Sequence, residues 1–260
     1  MVGILKDLGS NFGAIGVRAE FEAEGTGLEE LLRLKEISMK AGFGLSLKIG
    51  GCESVRDILE ARTIGVNYLV APMIESAYSL RKYLQAVDKF IPEPERVGLE
   101  IHCNIETVSA FNNLPEILKV PEIKSLAGVV IERVDLCGSR GLGGDCVDQA
   151  EIGQLVTAAV DRAKAAGLIC TIGGGVSANS IPFFGSLGGR LDRFETRKVC
   201  FDSRAALAAE PKAAILKALG FELIWLENKA GYKEGISAAE ENRAGLLEKN
   251  YGAAIRRLIG

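Results

Sequence analysis

The amino-acid sequence predicts a (β/α)8 barrel of the TIM-barrel type with additional C-terminal helices, and three observations lead to this fold class. The chain has 260 residues, and a typical barrel domain has about 250. Short apolar segments alternate with helical segments along most of that length, which indicates a parallel α/β fold. Hydrophobic residues make up 48% of the chain and charged residues 25%, as expected for a globular protein.

We predict seven strands from short apolar segments that lie between helical patterns. In chain order they cover 15–23, 44–50, 68–74, 97–107, 128–135, 168–173 and 193–201. A short N-terminal strand or an irregular barrel would account for the eighth. Thr26 begins a capping box whose helix we expect to end near Gly42. Further helices are expected over 54–62, 77–87 and 148–166.

The segment after Pro211 differs from the rest of the chain. One long helical pattern begins at Pro211 and a second begins at Ser237, whereas a barrel needs a single helix after its last strand. Packing on a neighbouring subunit would explain the extra helix, and so would closure of the barrel floor. We expect a single domain over 1–260, with 211–260 as a C-terminal helical extension, and a homo-oligomer.

Charge and hydropathy exclude several classes of partner. The net charge is -3, and proteins that bind nucleic acid carry a basic excess. No apolar run reaches the roughly 18 residues of a membrane span. Asp7 and Gly9 interrupt the N-terminus before a signal-peptide core forms, so we expect a cytoplasmic protein. In that compartment the 6 cysteines are expected to be reduced thiols that pack as small hydrophobes.

The predicted strands have two unlike faces. Side chains alternate across a strand, and in 99–106 the apolar Leu99, Ile101, Cys103 and Ile105 alternate with Glu100, His102, Asn104 and Glu106. An antiparallel sheet with one wet face would show this pattern, but the intervening helices argue against hairpins. The polar side chains should therefore point into the barrel. A buried unpaired ion costs several kcal/mol, so we expect ion pairs there among Arg18, Glu20, Lys48, Glu100, His102 and Glu195.

Two carboxylates stand at the predicted ends of consecutive strands. Glu106 closes the strand that runs to Thr107, and Asp135 closes the strand that begins at Gly128. Two carboxylates and several waters make an open site for a hard cation such as Mg2+. Spacing alone does not separate this pattern from the acids that other α/β enzymes carry at strand ends.

The motifs around these acids resemble those of the HpcH/HpaI aldolase and citrate lyase β-subunit family, which are metal-dependent pyruvate aldolases on a (β/α)8 barrel. The matching positions are Ile105-Glu106-Thr107, Asn113, Glu116-Ile117, Gly128-Val129, Asp135-Leu136, Gly138-Ser139 and Val70-Ala-Pro72-Met73-Ile74-Glu75. By this resemblance Glu106 and Asp135 hold a divalent metal ion, with Mg2+ expected first and Mn2+ or Co2+ as alternatives. The metal would chelate a pyruvate-like substrate and stabilise its enolate.

The chain departs from the family at two functional positions. The family has an arginine where this chain has Lys48, which keeps the charge but loses the bidentate geometry. We expect Arg133, on the same predicted strand face as Asp135, to supply the guanidinium. Lys48 and Arg133 would then be catalytic residues that bind the substrate's carboxylate or oxyanion.

The family's catalytic histidine is the second departure, since the matching stretch 19–24 has none. Glu22 is the candidate acid/base catalyst, with Glu20 as an alternative, provided that burial raises its pKa. His102, the only histidine, is expected to be a buried, hydrogen-bonded residue in preference to a base.

A run of three glycines follows the predicted strand 168–173. Backbone N–H groups at Gly174 and Gly175, ahead of Ser177 as a helix N-cap, would bind a distal phosphate or carboxylate of the substrate. A tight turn that needs positive φ would use the same glycines.

These observations predict a carbon–carbon lyase, an aldolase that cleaves a 2-keto acid through a pyruvate-like enolate, with a 2-keto-3-deoxy sugar acid as one substrate class. Two alternatives remain open from the sequence. An isomerase or epimerase would use the same metal and enolate without breaking the carbon–carbon bond. A non-catalytic barrel that binds a sugar acid would explain the missing histidine and arginine.

Overall fold

The computed structural model describes residues 1–231 together with 242 and 249. Eight strands close into a barrel in the order β1 to β8, which confirms the predicted fold class. The strands are β1 Ala14–Glu20, β2 Gly44–Lys48, β3 Tyr68–Ala71, β4 Glu100–Ile105, β5 Gly128–Glu132, β6 Ile169–Gly173, β7 Arg193–Glu195 and β8 Val199–Asp202. The chain divides into two compact units, Met1–Leu219 and Gly220–Gly260, and the barrel belongs to the first unit.

Helices cover the outside of the barrel. They are α1 Val2–Phe12, α2 Leu28–Ala41, α3 Val55–Ile64, α4 Ala77–Phe90, α5 Val108–Ile117, α6 Arg133–Ser139, α7 Ala150–Ala165, α8 Ile181–Leu187 and α9 Ser203–Ala208. Residues 211–231 are also helical. The second predicted C-terminal helix, from Ser237, lies outside the described residues except at 242 and 249. No described helix has the length and apolar composition that crossing a membrane requires.

The barrel closes through an antiparallel strand. The strand predicted over 193–201 is two strands, because β7 and β8 pair antiparallel, and β8 also pairs antiparallel with β1. Thr196 makes the turn: its N–H donates to the Val199 carbonyl at 2.9 Å, and its hydroxyl accepts from the Val199 N–H. The eighth strand is therefore half of this hairpin, and the N-terminus forms α1 in place of the short strand considered from the sequence.

The two-faced strand pattern has the predicted orientation. Leu45, Leu47 and Ile105 are fully buried on the helix side of the sheet. The opposite face carries ion pairs inside the barrel, with Arg18 bonded to Glu20 and Arg193 to Glu100. The alternation arises because the inner layers of this barrel are charged. In most barrels of this type the inner layers are apolar.

The cysteines differ from the expectation that all are reduced. Cys137 on α6 and Cys146 in the 3-10 turn Gly144–Asp148 form a disulfide, with 6.1 Å between their Cα atoms. The remaining four cysteines are free thiols. The pair joins because α6 and the turn fold back on each other within nine residues of chain.

Candidate functional site

A buried group of charges fills the end of the barrel at which the parallel strands terminate. We define the central cluster as Arg18, Glu20, Lys48, Glu106, Glu132 and Glu195. Barrel enzymes carry their chemistry at this end of the strands. Because these side chains come from β1, β2, β5, β7 and the residue after β4, they converge only after the barrel has closed.

Arg18 holds the cluster together. Its guanidinium lies 2.7 Å from Glu20, 3.2 Å from Glu132 and 3.1 Å from Glu195. Burial disfavours the charged guanidinium, but these three carboxylates outweigh burial and raise the Arg18 pKa above its ordinary value. Arg18 is therefore a permanent cation and forms the floor of the site.

Lys48 provides the second cation at this end of the barrel. Its ammonium lies 3.0 Å from Glu20 Oε2, and its charge also acts on Glu132 and Glu106. Burial favours the neutral amine, but the neighbouring carboxylates outweigh that effect and raise the Lys48 pKa. Lys48 is thus positioned as a positive charge among buried carboxylates.

Glu106 is oriented by two donors. Its Oε1 accepts from the Met73 N–H at 2.6 Å, and its Oε2 accepts from the Asn104 side-chain amide at 2.8 Å. Met73 has φ 52, a left-handed conformation that is strained for a residue with a side chain. Burial raises the Glu106 pKa in spite of these hydrogen bonds. Each carboxylate oxygen keeps one lone pair for a further ligand.

Glu132 is a buried carboxylate that no sequence motif had indicated. The strand predicted over 128–135 ends at Glu132, and α6 begins at Arg133. The Glu132 carboxylate lies against the glycine run: a Cβ at Gly173 would approach it to 2.7 Å, and one at Gly174 to 2.9 Å. In the sequence, only the charge at position 132 and the three glycines could have indicated this carboxylate. That they lie together becomes clear only once the barrel has closed.

Asp135, the second expected metal ligand, is half-buried on α6. It precedes Ser139 by one helical turn, so both side chains lie on one face of the helix. Ser139 Oγ accepts from the Val108 N–H, so this face of α6 is turned toward the end of β4, where Glu106 lies. The expected pairing of Glu106 with Asp135 stays a prediction.

The donor set suits a hard cation. Glu106, Glu132 and the Asn104 amide offer oxygen atoms, and the Asn104 Oδ1 is buried with no hydrogen-bond partner. Within the described residues, no group of three or more His, Cys, Asp and Glu side chains could hold a metal ion. A site of two carboxylates completed by water remains compatible with this donor set, because Mg2+ keeps several of its waters.

Arg133 has partners other than the expected ones. Its predicted strand position is wrong, because Arg133 is the first residue of α6, and the shared strand face with Asp135 does not exist. The fully buried guanidinium bonds to Asp148 at 2.9 Å and to Ser180 Oγ at 3.0 Å. It also packs on the Phe184 ring. These contacts join α6 to the segments before α7 and α8.

Glu22, the candidate acid/base catalyst, lies at the mouth of the barrel beyond β1. It is exposed, so the burial on which its candidate role depended is missing. Its carboxylate lies beside the end of β2, where a Cβ at Gly50 would meet Oε1 at 2.5 Å. The catalytic assignment of Glu22 stays a prediction.

Glu195 is the cluster carboxylate with the most perturbed acidity. Burial raises its pKa to about 7, and Arg18 only partly offsets that effect, while Glu132 and Glu20 add to it. A group with a pKa near neutrality exchanges protons readily at physiological pH. Glu195 is therefore the cluster member best suited to store a proton.

Gly174 and Gly175 need to be glycine for steric reasons. Both have positive φ, 73 and 66, and a Cβ at Gly174 would lie 2.6 Å from the Arg133 backbone nitrogen. The turn allows β6 to approach the start of α6 and makes room for Glu132. Binding of a substrate phosphate or carboxylate by these glycines stays a prediction.

His102 belongs to a second polar group, nearer the start of the strands. Its Nε2 lies 2.9 Å from Glu100, which Arg193 also binds. Burial lowers the His102 pKa although Glu100 opposes that shift. His102 is buried and hydrogen-bonded, as expected from the sequence.

Comparison with known proteins supports the fold. No family model matches the sequence, and no curated protein matches it. The crystal structure of an HpcH/HpaI aldolase from Desulfitobacterium hafniense DCB-2 matches with a TM-score of 0.57 at 15% identity, over 74% of this chain and 89% of that chain. Citrate synthase SbnG matches with a TM-score of 0.60 at 16% identity, over 88% and 90%.

An HpcH/HpaI aldolase/citrate lyase family protein from Burkholderia cenocepacia J2315 also matches, with a TM-score of 0.56 at 12% identity, over 75% of this chain and 92% of that chain. The barrel predicted from the motif resemblance is therefore the fold of solved aldolase-family structures. At such low identity the likeness concerns the fold.

Proposed function

We propose that the chain is an enzyme, a carbon–carbon lyase of the aldolase type that acts on a 2-keto acid through a pyruvate-like enolate. The observation that carries this proposal is that one buried cluster contains both the Lys48 ammonium, held 3.0 Å from Glu20, and the Glu106 carboxylate, oriented by two hydrogen bonds. The named aldolases among the structural neighbours make this chemistry the first to test.

Lys48 would bind the negative charge of the substrate. A 2-keto acid brings a carboxylate, and carbon–carbon cleavage adds the charge of the enolate. A preorganised cation in a water-poor site stabilises such developing charge more strongly than a solvated one does. Arg18 does not compete for this role, because three glutamates already surround it.

Glu106 would hold the expected metal ion together with a second carboxylate, which the motif resemblance assigns to Asp135. When bound, Mg2+, or Mn2+ or Co2+ in its place, would polarise the keto oxygen as a Lewis acid. Met73 and Asn104 would orient Glu106 for that purpose through the two hydrogen bonds that fix its carboxylate.

Glu22 would move the proton at the methyl carbon of the enolate, because it lies at the mouth beside the end of β2. Gly174 and Gly175 would bind a distal anionic group of a longer substrate. A cytoplasmic homo-oligomer remains part of the proposal, and Leu216, which is 70% exposed, is an apolar side chain that subunit contact would cover.

The test is pyruvate release from a panel of 2-keto-3-deoxy sugar acids in the presence of Mg2+ or Mn2+. We expect turnover of at least one member by the parent chain and none by Glu106→Gln. Conversion of substrate without pyruvate would favour the isomerase or epimerase. Saturable binding of a sugar acid without conversion would favour the non-catalytic barrel.

A further inference from the structure

We infer that Glu132 and the side-chain oxygen of Asn104 complete a hard-cation site with Glu106, and that the Lys48 ammonium competes with the cation for this site. The inference rests on the proposed function, because it assigns the ligands of the same site. Its test measures cation binding and needs no substrate.

The position of Glu132 supports its role as a ligand. Ile105 pairs with Ile131 on the adjacent parallel strands β4 and β5, so Glu106 and Glu132 occupy the next position on each chain. Neighbouring strands lie about 4.8 Å apart, and the two residues are 1% and 5% exposed. Asp135 lies nearly one helical turn further along the chain.

Asn104 gives an independent reason to place a ligand here. It is fully buried, and its side-chain nitrogen donates to Glu106 Oε2 at 2.8 Å. The oxygen of the same amide has no hydrogen-bond partner, and a buried unpaired acceptor is a rare and unfavourable feature. Carboxylate and amide oxygens are ligands of hard divalent cations, so one ion beside Glu106 would satisfy this oxygen.

The charges of the central cluster are consistent with an added cation. Its four carboxylates face two cations, Arg18 and Lys48. Arg18 is committed to three of those carboxylates, whereas the charge of Lys48 also acts on Glu106 and Glu132. The Lys48 ammonium therefore partly neutralises the carboxylates that a divalent cation would use, and removing its charge should strengthen cation binding.

The experiment is titration of the full-length protein with Mn2+, followed by electron paramagnetic resonance and by calorimetry. We expect Glu132→Gln to weaken Mn2+ binding at least about tenfold, because one anionic ligand is lost. Asp135→Asn should change it by less than about threefold, and Lys48→Met should tighten it about tenfold, because a nearby positive charge is removed. Asn104→Leu should weaken it.

The matched control is Glu195→Gln, which removes another buried carboxylate bound to Arg18 and should retain binding within about threefold. If Glu132→Gln does not fold, as judged by circular dichroism, then Asn104→Leu and Asp135→Asn decide. Loss of binding in Asp135→Asn with retention in Asn104→Leu would overturn the inference. Absence of Mn2+ binding by the parent would also overturn it, whereas failure of the lyase proposal would show only in the pyruvate assay.

Discussion

Arg18 and Glu132 meet across the full width of the barrel, with 3.2 Å between Nη2 and Oε1. Their strands, β1 and β5, are four apart in a ring of eight, so the pair joins opposite walls. Glu20 and Glu195 add bonds to the same guanidinium. The arrangement fixes the Glu132 carboxylate inside the barrel, where its charge acts on Lys48 and Glu106, and under the proposed function a substrate would react above Arg18.

Replacing Lys48 tests the role of the fixed cation in turnover. We expect Lys48→Ala to lower kcat/KM at least about a hundredfold, which is about 2.7 kcal/mol of transition-state stabilisation. Lys48→Arg keeps the charge and should recover part of that loss. Steady-state kinetics on the substrate found in the pyruvate assay provide the measurement, and equal kcat/KM for Lys48→Ala and the parent would contradict the role.

The acidity of Glu195 predicts a pH-dependent stability difference. Its pKa is about 7 in the folded chain against 4.5 for the ordinary group. A raised carboxyl pKa contributes stability that is complete below pH 4.5 and is lost as pH rises through 7. As pH rises from 4.5 to 8, the parent should therefore lose stability relative to Glu195→Gln. The difference between their free energies of unfolding should change by at most about 3 kcal/mol.

Denaturant unfolding at pH 5 and pH 8 checks the Glu195 prediction. Glu95→Gln is the control, because Glu95 lies outside the central cluster and its hydrogen bonds with Arg62 lower the Glu95 pKa below its ordinary value. The contribution of Glu95 is then lost only as pH falls below the ordinary carboxyl range, so the Glu95→Gln difference should stay constant from pH 5 to 8. A Glu195→Gln difference that is equally constant would refute the prediction.

Arg133 is expected to act on stability. Arg133→Met leaves Asp148 and Ser180 without their buried partner, and we expect the free energy of unfolding to fall by about 3 kcal/mol. Arg56→Met, at an 88% exposed side chain, should change it by less than about 1 kcal/mol. Thermal melting measures both. A normal melting temperature together with a large loss of turnover would restore the catalytic assignment of Arg133.

Met73 carries backbone strain that should be measurable. Glycine adopts a φ of 52 without penalty, whereas a β-branched residue does so poorly. We expect Met73→Val to be less stable than Met73→Gly by about 1–2 kcal/mol. Chemical denaturation of the two variants makes the comparison, and equal stability would mean that residue 73 changes conformation and releases Glu106 Oε1.

Reduction of the Cys137–Cys146 disulfide should destabilise the fold. A cross-link over a loop of this size restricts the unfolded chain by about 2–3 kcal/mol. We expect dithiothreitol, or the double substitution by serine, to lower the melting temperature, and Cys52→Ser to leave it unchanged. Alkylation of the unreduced protein with recovery of six modified thiols would show that the bond does not form.

The sequence predicted the structure best where a residue pattern could be explained by a single structural arrangement. Alternation along 99–106 predicted which side chains point inward, because helices must cover the apolar face. The end of the strand at Glu132 was missed, because Arg133 and Asp135 continue an alternating pattern although the chain already turns into α6. The glycine turn that packs against Glu132 is more than 40 residues away in the chain, so its steric effect on this strand end could not be predicted from the residues around Glu132.

Tertiary context also decided the last strand. The segment 193–201 alternates like one long strand, and its reversal at Thr196 depends on hydrogen bonds to Val199 and on pairing with β1. Asn104 was placed correctly on the inner face, but its unpaired oxygen becomes visible only when every neighbouring donor is in position.

The reversed strand β8 also bears on how the chain folds. β7 and β8 are neighbours in sequence, and a hairpin of this kind forms in about 1–10 μs. Ring closure is slower, since β8 must find β1 from the far end of the domain, and the entropy of closing such a loop is lost before the new contacts compensate for it. The β7–β8 hairpin should therefore form before the barrel closes. Weakening its turn at Thr196 should then slow refolding and leave the unfolding rate nearly unchanged.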